Sequence, residues 1–135
     1  MNTIKKYLPE FVYGGIDGAV TTFAVVSGST GALLSPAIVL ILGFANLFAD
    51  GFSMAVSNYL STKSQTELHK YHKDYKEYKR LGKHPLKTGL ATFISFFIIG
   101  LIPLISFLLA YFFPSLISYQ FGFSIILTAL ALAIV

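Results

Sequence analysis

Asn46, Asp50 and Met54 recur every fourth residue inside an otherwise apolar stretch running from Gly43 to Asn58. On an α-helix that spacing stacks a carboxamide, a carboxylate and a thioether on one face over roughly two turns. A second carboxylate, Asp17, stands in the preceding apolar segment within Gly-Gly-Ile-Asp-Gly. A carboxylate at mid-bilayer costs on the order of 2.5–3.5 kcal/mol on the mildest scale, so it is kept where it has a partner or a use. Carboxylate and amide oxygens suit a divalent cation. A thioether biases the set away from Mg2+ and Ca2+ and toward a borderline ion such as Fe2+ or Mn2+. A cation arriving at a protonated carboxyl group displaces the proton, so the four residues hold the minimal chemistry of a metal/proton exchanger.

Each residue also has a plainer use. The aspartates serve equally as packing groups hydrogen-bonded to serine, threonine or backbone carbonyl, Asn46 as a polar bridge between helices, and Met54 as apolar filler. That alternative makes the chain a non-transporting membrane interaction subunit with buried packing aspartates. An exchanger for another cation is a third possibility.

These residues are held by a chain that cannot be an ordinary soluble domain. Of its 135 residues 55% are hydrophobic and 12% charged, and the mean hydropathy is +0.71. Apart from Asp17 and Asp50, the charged residues lie in 5–10 or 63–87, which leaves long uncharged runs. The expected fold is an all-α integral membrane protein with four transmembrane helices, about 11–29, 36–62, 87–112 and 118–135, in a single membrane domain. Residues 2–10 form an interfacial lead-in with Pro9 near the first turn of span one. Gly14, Gly18 and Thr21 give span one a small-residue face around Asp17, the pattern that lets membrane helices approach closely and a motive for a homodimer. Ser35-Pro36 reads as cap and first residue of span two.

No breaker stands between Gly51 and Gly82, and Leu68, Tyr71, Tyr75 and Tyr78 carry an apolar stripe past the bilayer. Span two is therefore expected to continue as one helix as far as Leu81, with 63–86 a short cytoplasmic helical extension and turn. Gly82 is then the left-handed cap, followed by His84 in a loop and Pro85. Glu67, His69 and His72 are a candidate weak metal site on that extension. The plainer reading is a solvated hairpin with pairs such as Asp74 and Lys70. Pro103 bends span three, and Phe113-Pro114 ends it. The chain stops at Val135 without a polar anchor, which suggests C-terminal truncation.

All ten Lys and Arg precede span one or lie between spans two and three, so the N-terminus and the 63–87 loop are expected in the cytoplasm. The net charge of +4 is a topology and lipid-headgroup signal. No aromatic-basic interleaving points to a nucleic-acid partner. Without cysteine there is no thiolate site. No nucleotide-binding glycine loop, His-Glu-x-x-His or nucleophile elbow occurs, so no enzyme is expected.

At Glu10 through Gly28, and again at Gly43 through Ser64 with Ser53-Met54 and Tyr59-Leu-Ser-Thr-Lys-Ser, the chain resembles the vacuolar iron transporter family. Ile99-Gly-Leu-Ile-Pro-Leu resembles that family's third span. The resemblance implies a dimeric, five-span, proton-coupled antiporter that exports Fe2+ and sometimes Mn2+ from the cytosol as transported ions, with no permanently bound cofactor. Its ion path runs at the homodimer interface, lined by the first two spans. Carried over, the family's Asp-Gly falls on Asp17-Gly18 and its Ser-Met on Ser53-Met54. Asn46 stands where plant members have glutamate, and Asp50 where they have a small residue, so the carboxylate has moved one turn along the same face. Family members with a cytoplasmic metal-binding domain carry many glutamates between spans two and three, whereas this link carries Glu67 and Glu77. Of the five spans that the resemblance implies, the sequence as far as Val135 accommodates four, which again suggests C-terminal truncation. The host membrane would be the plasma membrane in a prokaryote and a vacuole-type membrane in a eukaryote.

Overall fold

The computed structural model describes residues 3–71, 76–78 and 82–135. Four long helices account for most of them: α1, Thr3–Gly31; α2, Pro36–His69; α3, Pro85–Phe112; and α4, Gln120–Ile134, entered through a 3-10 segment at Pro114–Tyr119. Four helical stretches, Ile4–Gly31, Pro36–His69, Pro85–Phe112 and Pro114–Ile134, are long and apolar enough to cross a membrane. The protein is an all-α membrane protein.

The central helix is α3. It packs along both α1 and α2 and also carries α4, while α1 and α2 touch each other less extensively. Its apolar core joins Val26 of α1, Val39, Leu40 and Leu47 of α2, and Phe96, Leu104 and Phe107 of α3. Polar side chains on α3 are buried without loss because their hydroxyls bond carbonyls one turn back. Thr88 donates to the His84 carbonyl at 3.0 Å and Thr92 to that of Thr88 at 3.0 Å. Pro103 is fully buried, and Ser124 of α4 donates to its carbonyl at 2.8 Å, which fastens α4 at the proline.

The turn between α1 and α2 closes with Leu33 N–H on the Thr30 carbonyl and Leu34 N–H on the Ser29 carbonyl, both at 3.0 Å, a Schellman pattern. Leu33 takes the left-handed position at φ 58°, not either neighbouring glycine. Pro36 is the first residue of α2, and Ser35 precedes it in extended conformation without a side-chain capping bond.

Three expectations need correction. α1 begins at Thr3 rather than near Phe11 and contains Pro9. The lost amide of Pro9 costs one hydrogen bond near the helix start, where the freed carbonyl is within reach of water. α2 ends at His69, capped by Lys70, short of Leu81. Gly89 of α3 lies against Ala55 and Tyr59, so α3 starts beside the lower part of α2. A helix reaching Leu81 would end roughly 25 Å beyond that start, and three residues span only about 11 Å. Finally, Gly82 does not take the left-handed conformation; its N–H closes a turn on the Tyr78 carbonyl. Leu68 and Tyr71 are exposed, so they form no packed stripe, and Tyr75, Arg80 and Leu81 lie outside the described residues.

Candidate functional site

The helices α1 and α2 run antiparallel and bring the two carboxylates of the apolar segments to one level. Asp17 is half-buried, Asp50 is exposed, and the two lie close enough to interact electrostatically. Asp50 thus stands on the open side of α2, away from the core. Among the described residues it holds no hydrogen bond and no ion pair.

Asn46, one turn earlier on α2, is half-buried, and its Nδ2 points to Thr22 Oγ1 at 3.5 Å. That contact bridges α1 and α2 through the amide nitrogen; the carbonyl oxygen is the atom a cation would take. Met54 does two things at once. It packs against the core cluster and also lines a shallow groove of about 320 Å³ with Tyr13, Ser53, Ser57, Asn58 and Ser61. Ser53 is exposed on the same side as Asp50.

The small-residue face of α1 has a different use from the expected one. An added Cβ on Gly14 would meet Ser95 Oγ and the Thr92 carbonyl, and one on Gly18 would meet the Phe96 backbone. Gly14 and Gly18 therefore seat α3 of the same chain, so the glycine face is not available as a motive for a second copy. Thr21 donates its hydroxyl proton to the Asp17 carbonyl at 2.7 Å and so ties itself to its own helix.

Two residues that the spacing argument passed over extend the polar line toward the basic end of the bundle. Glu10 precedes Asp17 by two helical turns, and Asn58 follows Met54 by one. Those intervals were the available signal. Thr92 of α3 joins them. It is fully buried, its hydroxyl proton goes to Thr88, and it accepts from Asn58 Nδ2 at 2.6 Å and from Tyr13 Oη at 3.3 Å. Three helices meet at this one oxygen. Thr92→Val keeps the shape and leaves the Asn58 amide without its acceptor, so unfolding by SDS titrated into mild detergent should show a loss of about 1–3 kcal/mol.

Glu10 is buried at 6% exposure, and its Oε1 accepts a 2.5 Å ion-pair bond from Lys83 Nζ. Its Oε2 is buried without a hydrogen-bond partner among the described residues. The residue lines a cavity of about 380 Å³ together with Asn58, Ser61, Thr62, Gln65 and Lys83. Asn58 and Ser61 also line the Met54 groove, so the two spaces adjoin.

Of the weak site expected on the link, Glu67 and His69 are among the described residues and His72 is not. No group of three or more His, Asp or Glu side chains that could hold a metal occurs among the described residues. Glu67 is exposed. His69 bonds the Gln65 carbonyl through Nδ1 at 2.8 Å and stacks on Tyr78 with ring centroids 3.9 Å apart. His72 and Asp74 lie outside the described residues.

Comparison with known proteins gives this arrangement a family. A family model described as the VIT family matches residues 8–80 and 69–135. A protein named vacuolar iron transporter from Plasmodium berghei (strain Anka) is 29% identical, over 90% of this chain and 65% of the relative. One of the same name from Toxoplasma gondii (strain ATCC 50861 / VEG) is 40% identical, over 58% of this chain and 26% of its own length. Vacuolar iron transporter 1 of Arabidopsis thaliana is 34% identical, over 48% and 26%. The chain thus spans less than two thirds of the length of each of these relatives. No solved structure matches it. With the family model covering nearly the whole sequence and four apolar helices in place, the chain belongs to the VIT family.

Proposed function

We propose that the chain moves Fe2+ or Mn2+ out of the cytosol in exchange for protons, along a path between two copies lined by Asp17, Asn46, Asp50 and Met54. The observation that carries this reading is the exposure of Asp50 on the open side of α2, within electrostatic reach of Asp17. A carboxylate facing lipid at that depth is costly, and a second copy covering the open side of α2 would remove it from lipid. The names of the relatives supply the iron.

Two neighbouring carboxyl groups hold either protons or a divalent cation, and exchange between the two couples the flows. The Asn46 carbonyl adds a hard oxygen donor. The Met54 thioether disfavours Mg2+ and Ca2+. The clustering of Lys and Arg at one end of the bundle supports a cytoplasmic N-terminus and link. The membrane is then vacuolar in type in a eukaryote and the plasma membrane in a prokaryote.

Purified protein in sealed liposomes with an acidic lumen should take up external Fe2+ or Mn2+ and make the lumen less acidic as it does so. Uptake that is indifferent to the proton gradient removes the coupling. Competition by Zn2+, Co2+ and Ca2+ ranks the cations, and the thioether predicts that Ca2+ competes least. Absence of uptake for every cation would favour the interaction-subunit reading.

A further inference from the structure

We propose that Glu10 is a second divalent-cation site, at the basic mouth of the groove, and that Lys83 is its displaceable occupant. Transport itself rests on the reading above; binding at Glu10 is tested without it.

The carboxylate is nearly inaccessible at 6% exposure, whereas the Lys83 side chain is one-third exposed. The lysine therefore has a way out to water, and the glutamate does not. A buried carboxylate with both oxygens engaged would be an ordinary structural ion pair. Here Oε1 holds the ammonium at 2.5 Å and Oε2 has no hydrogen-bond partner among the described residues. A buried acceptor left unpaired is expensive, so the pair does not satisfy this group.

The remaining lining of the cavity is neutral and rich in oxygen. Asn58 gives its amide nitrogen to Thr92 at 2.6 Å, which leaves its side-chain carbonyl as the free end. Thr62 gives its hydroxyl proton to the Asn58 backbone carbonyl at 2.9 Å, which leaves lone pairs on its oxygen. Ser61, Gln65, Tyr78 and Gly82 add further neutral wall. One carboxylate among neutral oxygens is a weak, hard-donor shell, suited to Mn2+ or Fe2+ still carrying some of its water. A cation there would satisfy the second carboxylate oxygen, which the lysine cannot do while it sits on the first. Asn58 and Ser61 also line the groove that reaches Met54, so a cation released from Glu10 is already at the polar line leading to Asp50.

A fixed tether and a displaceable occupant predict opposite effects for Lys83. In the tether case, removal of either partner weakens the same structure. In the occupant case, removal of the lysine frees the site. Mn2+ binding followed by electron paramagnetic resonance is the measurement, in an Asp17→Asn/Asp50→Asn background so that the membrane-depth carboxylates do not contribute. Adding Lys83→Gln should tighten Mn2+ binding about tenfold, and adding Glu10→Gln to that protein should abolish it. Unchanged or weaker binding with Lys83→Gln, or binding that survives Glu10→Gln, overturns the proposal.

The unsubstituted protein provides a check that does not depend on variants folding. Mn2+ should raise the rate at which a small water-soluble acylating reagent labels Lys83 several-fold, read by mass spectrometry. Labelling unaffected by Mn2+ overturns the proposal as well. Neither readout involves transport, so failure here and failure of metal/proton exchange are separate results.

Discussion

Asp50→Ala should lower proton-driven metal uptake by at least about tenfold while leaving the fold intact. The two halves of that expectation come from different features of the same residue. Its carboxylate is one of two charges at membrane depth, and it lies within electrostatic reach of the other, so its removal halves the charge available to a divalent cation. Yet Asp50 is exposed on α2 and holds no hydrogen bond or ion pair among the described residues, so nothing in the bundle depends on it. Within one copy the alanine replaces a side chain that makes no hydrogen bond or ion pair among the described residues, and an unpaired carboxylate at membrane depth is no source of stability. The variant is therefore expected to be inactive and at least as stable as the parent, the signature of a residue kept for function. Asp17→Ala should fail in the same assay, and the double variant should be no worse than either single one. Uptake that persists after both substitutions would end the case for this pathway. Equal loss of folded protein and activity would instead mark the aspartates as packing groups.

Gly18 should show the reverse pattern. Gly18→Ala is expected to destabilise the bundle by about 1–3 kcal/mol, and Gly18→Leu to prevent its assembly. The added carbon meets the backbone of Phe96, which cannot swing aside as a side chain would. A Cβ added to Gly100 of α3 would in turn meet the Gly18 carbonyl, so the two helices have no slack at this crossing. Gly28 is the internal control, because an added Cβ there has nothing within 4 Å. Gly28→Ala should be neutral or raise stability by a few tenths of a kcal/mol, since alanine is the better helix former. Unfolding in SDS compares all three, and particle mass in detergent is measured alongside. A Gly18→Ala variant of unchanged stability that only halves its particle mass would return the glycine face to a contact between copies.

The link illustrates a limit of reading a helix by its breakers. Nothing in residues 52–81 forbids a helix, and none of the local signals locates its end at His69. The end is set by where α3 must begin, against Ala55 and Tyr59, and by the chain left to make the return. His69 stacking on Tyr78 and Glu10 pairing with Lys83 both fasten that return. Such contacts join residues far apart in sequence, and no periodicity announces them.

The sequence alone carried the class of protein, the number of apolar helices, the one-sided distribution of Lys and Arg, and the candidate metal-ligating residues of the first two helices. It could do so because hydropathy and the 3.6-residue period are properties of single segments. What each face meets was set by the packing of the helices on one another. Packing against α3 turned Gly14 and Gly18 inward, left Asp50 on the open side, put Asn58 and Tyr13 on Thr92, and enclosed Glu10 with Lys83. A period says which residues share a face; the rotation of that helix about its own axis is fixed by the other three.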